Sequence, residues 1–133
     1  QNPHILNLEP PLNMDARWFG NHVAYTMAKY GMSMCVLGMA EEFGGQGVGI
    51  NALWPRTTIA TAAVNNVIGS EIIAKSRKPT IMADAAHAIL CRDSSACNGN
   101  FFIDDEVLEA EGGFDLDQYA VTPGEDLFPD LFL

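Results

Sequence analysis

The chain has 133 residues, room for one domain that buries about two thirds of its unfolded surface. Seventeen acidic residues against seven scattered basic ones leave a net charge of −10, which excludes nucleic acid as a partner because phosphate binding requires a basic patch. Hydrophobic residues make up 48% and predict a globule, yet no run reaches about 18 apolar residues, so no membrane span is expected.

In chain order, "HILNL" (residues 4 to 8) is an apolar run stopped by Pro10 and Pro11, which suits a buried strand entering a loop. Residues 21 to 43 then place Ala24, Met27, Ala28, Gly31, Met32, Cys35, Val36, Met39 and Phe43 at three- and four-residue steps. That spacing predicts a long helix whose apolar face, Cys35 included, packs in the core. The methionines at 27, 32, 34 and 39 read first as a packing stripe, and their abundance also makes this helix a candidate subunit interface. "EEFGGQG" ends the helix, glycine being the usual residue past a helix C-terminus.

"VGINALW" (48 to 54) is a second strand, apolar on both faces and stopped by Pro55. "PRTTIAT" is irregular and leads into a short helix over 61 to 68. "PTIMADAAHAILCRD" is an amphipathic helix with Pro79 at its first position. "SSACNGN" is a loop, "FFIDD" (101 to 105) a third strand and "VLEAEGG" a helical turn. The acidic tail "FDLDQYAVTPGEDLFPDLFL" predicts solvated surface.

Strand, helix, strand, helix, strand is the α/β order and implies parallel strands joined by crossovers. Strands apolar on both faces require helices on both sides. Too few elements are present for that, so further strands are expected upstream of Gln1. The start "QNPHILNL", without an initiator Met, fits a piece of a longer protein.

Three features carry less than they suggest. The glycines of "GGQGVGI" lie between a helix and the strand after it, whereas a dinucleotide-binding turn lies between a strand and the helix after it. His4, His22 and His87 have no metal-ligand spacing, so no metal is expected. Cys35, Cys91 and Cys97 are an odd count without a Cys-x2-Cys pair, which favours reduced thiols and a cytoplasmic or similarly reducing compartment.

The chemistry concentrates in "HVAYTMAKYG", where Tyr25 and Lys29 stand four apart on one helix face. Bringing a tyrosine from about 10 to near 7 takes roughly 4 kcal/mol. A lysine charge about 4 Å away, at an effective dielectric near 20, supplies about that much. Such a tyrosine works as a general acid or base at neutral pH. The spacing alone is weak, since many helices carry it by chance. Its setting strengthens it: an apolar strand precedes, and the next strand ends in a Pro-containing loop, the end of an open sheet at which ligands bind.

With "ILNL" before it, "YTMAK", "NALWPRTTIAT" and "NGNFFIDDE" in order, the chain resembles the short-chain dehydrogenase/reductase family over most of its length. The resemblance implies a Rossmann-like doubly wound parallel sheet, of which this would be the C-terminal part. It implies that Tyr25 exchanges a proton with a carbonyl or alcohol oxygen, and that Lys29 holds the nicotinamide ribose and lowers the tyrosine pKa. Pro55, Arg56, Thr57, Ile59 and Thr61 would flank the nicotinamide of NAD or NADP. Arg56 stands where the family has glycine, and one extra residue precedes Ile59.

The family's catalytic serine should precede the tyrosine, but "NLEPPLNMDARWFGNH" contains neither serine nor threonine. Glu9 takes its place. An ionised carboxylate accepts but cannot donate, so Glu9 substitutes only if burial keeps it protonated; the alternative has it pointing to solvent. The glycine-rich phosphate turn is also absent, so these residues alone are not expected to hold NAD(P) well.

Residues 1 to 111 are expected to form the C-terminal half of a dehydrogenase domain. Residues 112 to 133 are expected to be an extension packing on it or on a neighbouring subunit. The expected activity is hydride transfer between NAD(P)(H) and a small carbonyl or alcohol, in a homo-oligomer assembled through helix 21 to 43. The alternative is a catalytically impaired nucleotide-binding or assembly protein.

Overall fold

A computed structural model describes residues 1–113 and 115–133; Phe114, within the expected extension, lies outside the described residues. They form two compact units. The first comprises Gln1–Trp54, Ile89–Phe102 and Phe132, and the second Pro55–Ala88, Ile103–Leu131 and Leu133.

The first unit is built on a parallel sheet in the order β1 (His4–Asn7), β2 (Gly49–Trp54), β3 (Phe101–Ile103, whose last residue counts with the second unit). His4 pairs with Gly49 and Asn7 with Ala52. All six residues of β2 are buried, as expected for a central strand apolar on both faces. At Gly49 a Cβ would stand 2.5 Å from the Cys97 carbonyl oxygen and 2.9 Å from His4 Nδ1, so glycine is required by close approach. The loop "SSACNGN" holds this strand from the side: Asn98 accepts from Ile50 N–H at 2.9 Å and donates to the Ala40 carbonyl at 2.9 Å.

Helix α1 (Val23–Phe43) links β1 to β2 and packs Val36 and Ala40 on Ile50 and Ala52, with Met39, Phe43, Val48 and Phe101 around them. It starts two residues later than residue 21, because Asn21 sits in the left-handed region (φ 66°) and cannot continue a helix. Gly47 (φ 76°) closes the turn after it.

Its orientation corrects the sequence expectation. The buried residues are Thr26, Tyr30, Ser33, Val36 and Ala40, while Cys35, Met27, Met32 and Met34 are exposed. The buried hydroxyls are each satisfied by backbone carbonyls, so a partly polar face turns inward at little cost.

In the second unit, the segment after Pro55 leads to α2 (Ala62–Val67), capped by the Thr61 side chain, and then to a further short helix, α3 (Ser70–Ala74). Helix α4 (Thr80–Cys91, whose last three residues count with the first unit) begins directly after Pro79. The expected third strand stops at Ile103, because Asp104 opens helix α5 (Asp104–Glu111). Three acidic residues in its first turn suit the positive end of a helix. Ile59, Ile81, Ala85, Val107, Leu108 and Tyr119 are buried in this unit.

Candidate active site

The first unit holds three of the sequence candidates, Glu9, Tyr25 and Lys29. The stretch after β1 is laid against the buried polar face of the helix. Ser33 Oγ donates to the Pro10 carbonyl at 2.8 Å, the Tyr30 hydroxyl donates to the Asn13 carbonyl at 2.6 Å, and Thr26 donates to the Trp18 carbonyl. These bonds fix the segment that carries Glu9.

Lys29 reaches back to that segment. Its ammonium donates to the Leu8 carbonyl at 3.1 Å and lies 3.5 Å from Glu9 Oε2. It also sits over the Trp54 ring, 5.3 Å from the centroid. Glu9 is only 5% exposed, which rules out the solvent-facing alternative. Burial pushes its carboxyl up from the ordinary value, and Lys29 offsets this only in part. Glu9 Oε2 has no hydrogen-bond donor, so Lys29 acts on it as a charge.

Tyr25 is 44% exposed and stacks on Phe132, with ring centroids 6.1 Å apart and planes 18° apart. Phe132 is buried and also meets the rings of Trp18, Tyr30 and Trp54 at 5.7, 5.1 and 5.9 Å. Lys29, Trp54, Phe132 and Tyr25 are therefore joined by successive contacts. The end of the tail is here an aromatic wall rather than solvated surface. Sequence reasoning missed both Trp54 and Phe132; the aromatic cluster in "DLFPDLFL" was the available signal.

The second unit holds the other candidates, on the segment that starts at Pro55. Arg56 Nε lies 3.2 and 3.1 Å from the two Asp105 oxygens, and its NH2 group bonds Glu106. Asp105 also receives Arg77 at 3.2 Å. The Asp105 hydrogen bond holds the Arg56 guanidinium still more firmly protonated. The Arg56 N–H donates to Asp104 Oδ1 at 2.9 Å, and burial pushes the Asp104 carboxyl up. Arg56 thus anchors its own loop. Thr57 Oγ1 is buried without a hydrogen-bond partner, Ile59 is buried, and Thr61 accepts from Val64 N–H at 3.4 Å as a helix cap.

The donor set of Lys29 fits a nicotinamide ribose. An ammonium has three N–H bonds. The Leu8 carbonyl takes one and Glu9 stands at ion-pair distance, which leaves N–H capacity for a hydroxyl. Among the described residues no group of three or more His, Cys, Asp or Glu could hold a metal, and no helix is long and apolar enough to cross a membrane.

No family model matches the chain. It is similar to hydroxysteroid dehydrogenase-like protein 2 of Danio rerio, 58% identical over 133 residues, all of this chain and 32% of the relative. The chain spans about a third of the length of the curated relatives it matches. Among solved structures it is similar to a dehydrogenase candidate from Xanthomonas campestris, 57% identical with a TM-score of 0.93, over 99% of this chain and 48% of that one. A short-chain dehydrogenase from Mycobacterium thermoresistibile is 47% identical with a TM-score of 0.89, over 100% of this chain and 47% of that one.

Proposed function

The chain belongs to the short-chain dehydrogenase family, and on that footing we propose that the intact protein transfers hydride between NAD(P)(H) and a small carbonyl or alcohol. The bound nicotinamide supplies or accepts the hydride. Tyr25 gives a proton to the substrate oxygen in reduction and takes it back in oxidation. Lys29 favours tyrosinate through its charge and offers its remaining N–H to a ribose hydroxyl. The observation that carries this reading is the placement of Lys29, held against Leu8, Glu9 and Trp54 one helical turn from Tyr25.

Pro55, Thr57, Ile59 and Thr61 are assigned to the nicotinamide side, and Arg56 contributes by holding their loop against Asp104, Asp105 and Glu106. The exposed side of α1 is assigned to self-association. A reducing, cytoplasmic setting suits its exposed thiols, Cys35 and Cys91.

The test is oxidation of NADPH and NADH by the full-length protein across a panel of ketones and aldehydes. Tyr25→Phe is expected to lower turnover by about two to four powers of ten. A second reading, a nucleotide-binding protein with impaired catalysis, is favoured by Glu9, which occupies a position where a neutral donor would serve the substrate better. Cofactor binding without turnover on any substrate would select it.

A further inference from the structure

Surface ion pairs usually matter little, because water screens them and side-chain entropy opposes them. The Glu9–Lys29 pair is different. The Glu9 side chain is 6% exposed and that of Lys29 22%, at 3.5 Å. Among the described residues Lys29 is the charged group paired with Glu9, and Glu9 Oε2 has no hydrogen-bond donor to spread its charge. The carboxylate therefore spends its field on the lysine and on whatever lies beside the lysine.

Tyr25 lies one turn along the same helix, with side chains four residues apart separated by about 6 Å at their Cβ atoms. Trp54 and Phe132 complete the contact from Lys29 to Tyr25.

We propose that Glu9 is a charge-tuning residue of the Tyr25–Lys29 couple: its carboxylate offsets the lysine charge that would otherwise stabilise tyrosinate. The proposal rests on the reading of Tyr25 as the acid–base group. With Glu9 ionised, Tyr25 holds its proton more tightly. With Glu9 protonated, Lys29 acts undiminished. Other titratable groups of this unit flank the cluster: Tyr30 donates to Asn13, Arg17 pairs with Asp15 in solvent and stacks on Trp18, and His22 stands at the N-cap position of α1 with no side-chain cap bond and a buried, unpartnered Nε2.

The pair thus separates two functions of the lysine. Its position is held by Glu9 and Leu8, while its charge is partly withheld from the tyrosine. A serine in place of Glu9 would leave the charge free but lose one of the two holds.

The experiment titrates tyrosinate by ultraviolet absorbance in the full-length protein, comparing the unmodified form, Glu9→Gln and Glu9→Asp. Each is also made with Tyr25→Phe, so that subtraction isolates Tyr25. Glu9→Gln is expected to lower the pH at which Tyr25 ionises, the direction that follows from removing a nearby negative charge. Glu9→Asp, which keeps the charge, is expected to stay near the unmodified value. The pH profile of turnover should follow: the unmodified protein and Glu9→Gln coincide at acid pH, where Glu9 is protonated, and separate above it.

No movement in Glu9→Gln overturns the proposal. So does an equal movement in Glu9→Asp, since that would mark lost packing rather than lost charge. The absorbance titration judges Glu9 whether or not a substrate is found, whereas turnover surviving Tyr25→Phe defeats the functional reading instead.

Discussion

Tyr119 illustrates how a single buried hydroxyl ties stability to pH. It is buried, and its O–H donates to Asp84 Oδ2 at 2.6 Å. Burial first, then the hydrogen bond and charge of Asp84, push its phenol up to about 12. A phenol whose folded pKa lies above its unfolded value of about 10 stabilises the fold fully below pH 10, and the contribution is lost as pH rises through about 12. Tyr119→Phe is therefore expected to cost about 1–2 kcal/mol at neutral pH by urea denaturation. Its deficit should shrink between pH 10 and 12. Asp104 follows the same sign rule at the acid end: its raised carboxyl favours folding below about 4 and ceases to as pH rises through its folded value. At this scale the shared helix of Tyr25 and Lys29 was legible from their spacing, whereas the burial of Glu9 was not. A glutamate between a strand and two prolines reads as surface, and only the lysine arriving from α1 makes a buried position tolerable.

Helix α1 was legible as a helix and misread as a face. Its apolar residues run all round, so periodicity alone could not choose the side that packs. The choice fell to Thr26, Tyr30 and Ser33, whose hydroxyls reach the carbonyls of Trp18, Asn13 and Pro10. Val23, Met27, Gly31, Met34 and Gly38 are left exposed at helical spacing, and a Cβ at Gly31 or Gly38 would meet nothing within 4 Å. If this side carries self-association, Gly31→Arg should reduce the mass seen by light scattering on a sizing column. The same substitution should leave the fold intact, or stabilise it by up to about 1 kcal/mol in a thermal melt, because arginine forms helix better than glycine. Loss of association together with loss of folding would contradict this.

At the scale of the whole chain, nucleotide affinity is the quantity to measure. The chain spans about a third of its curated relatives, and pyrophosphate binding in dinucleotide folds resides in a glycine-rich strand-to-helix turn that this sequence lacks. The 133-residue chain alone is expected to bind NADH at least about a hundredfold more weakly than the full-length protein, roughly 2.7 kcal/mol, by cofactor fluorescence. Equal affinity would place the cofactor's main contacts within residues 1–133.

The order of strands and helices, the buried β2, the helix end in "EEFGGQG" and the shared helix of Tyr25 and Lys29 all followed from the sequence itself. Each depends on local rules: strand length, helical spacing and glycine's tolerance of left-handed backbone. Tertiary structure alone decided the inward face of α1, the burial of Glu9 against Lys29, the Arg56–Asp105 anchor and the seating of Phe132 on Tyr25. These pairs lie 20, 49 and 107 positions apart for Glu9–Lys29, Arg56–Asp105 and Tyr25–Phe132. Their energies depend on desolvation and partner geometry, which no local pattern encodes.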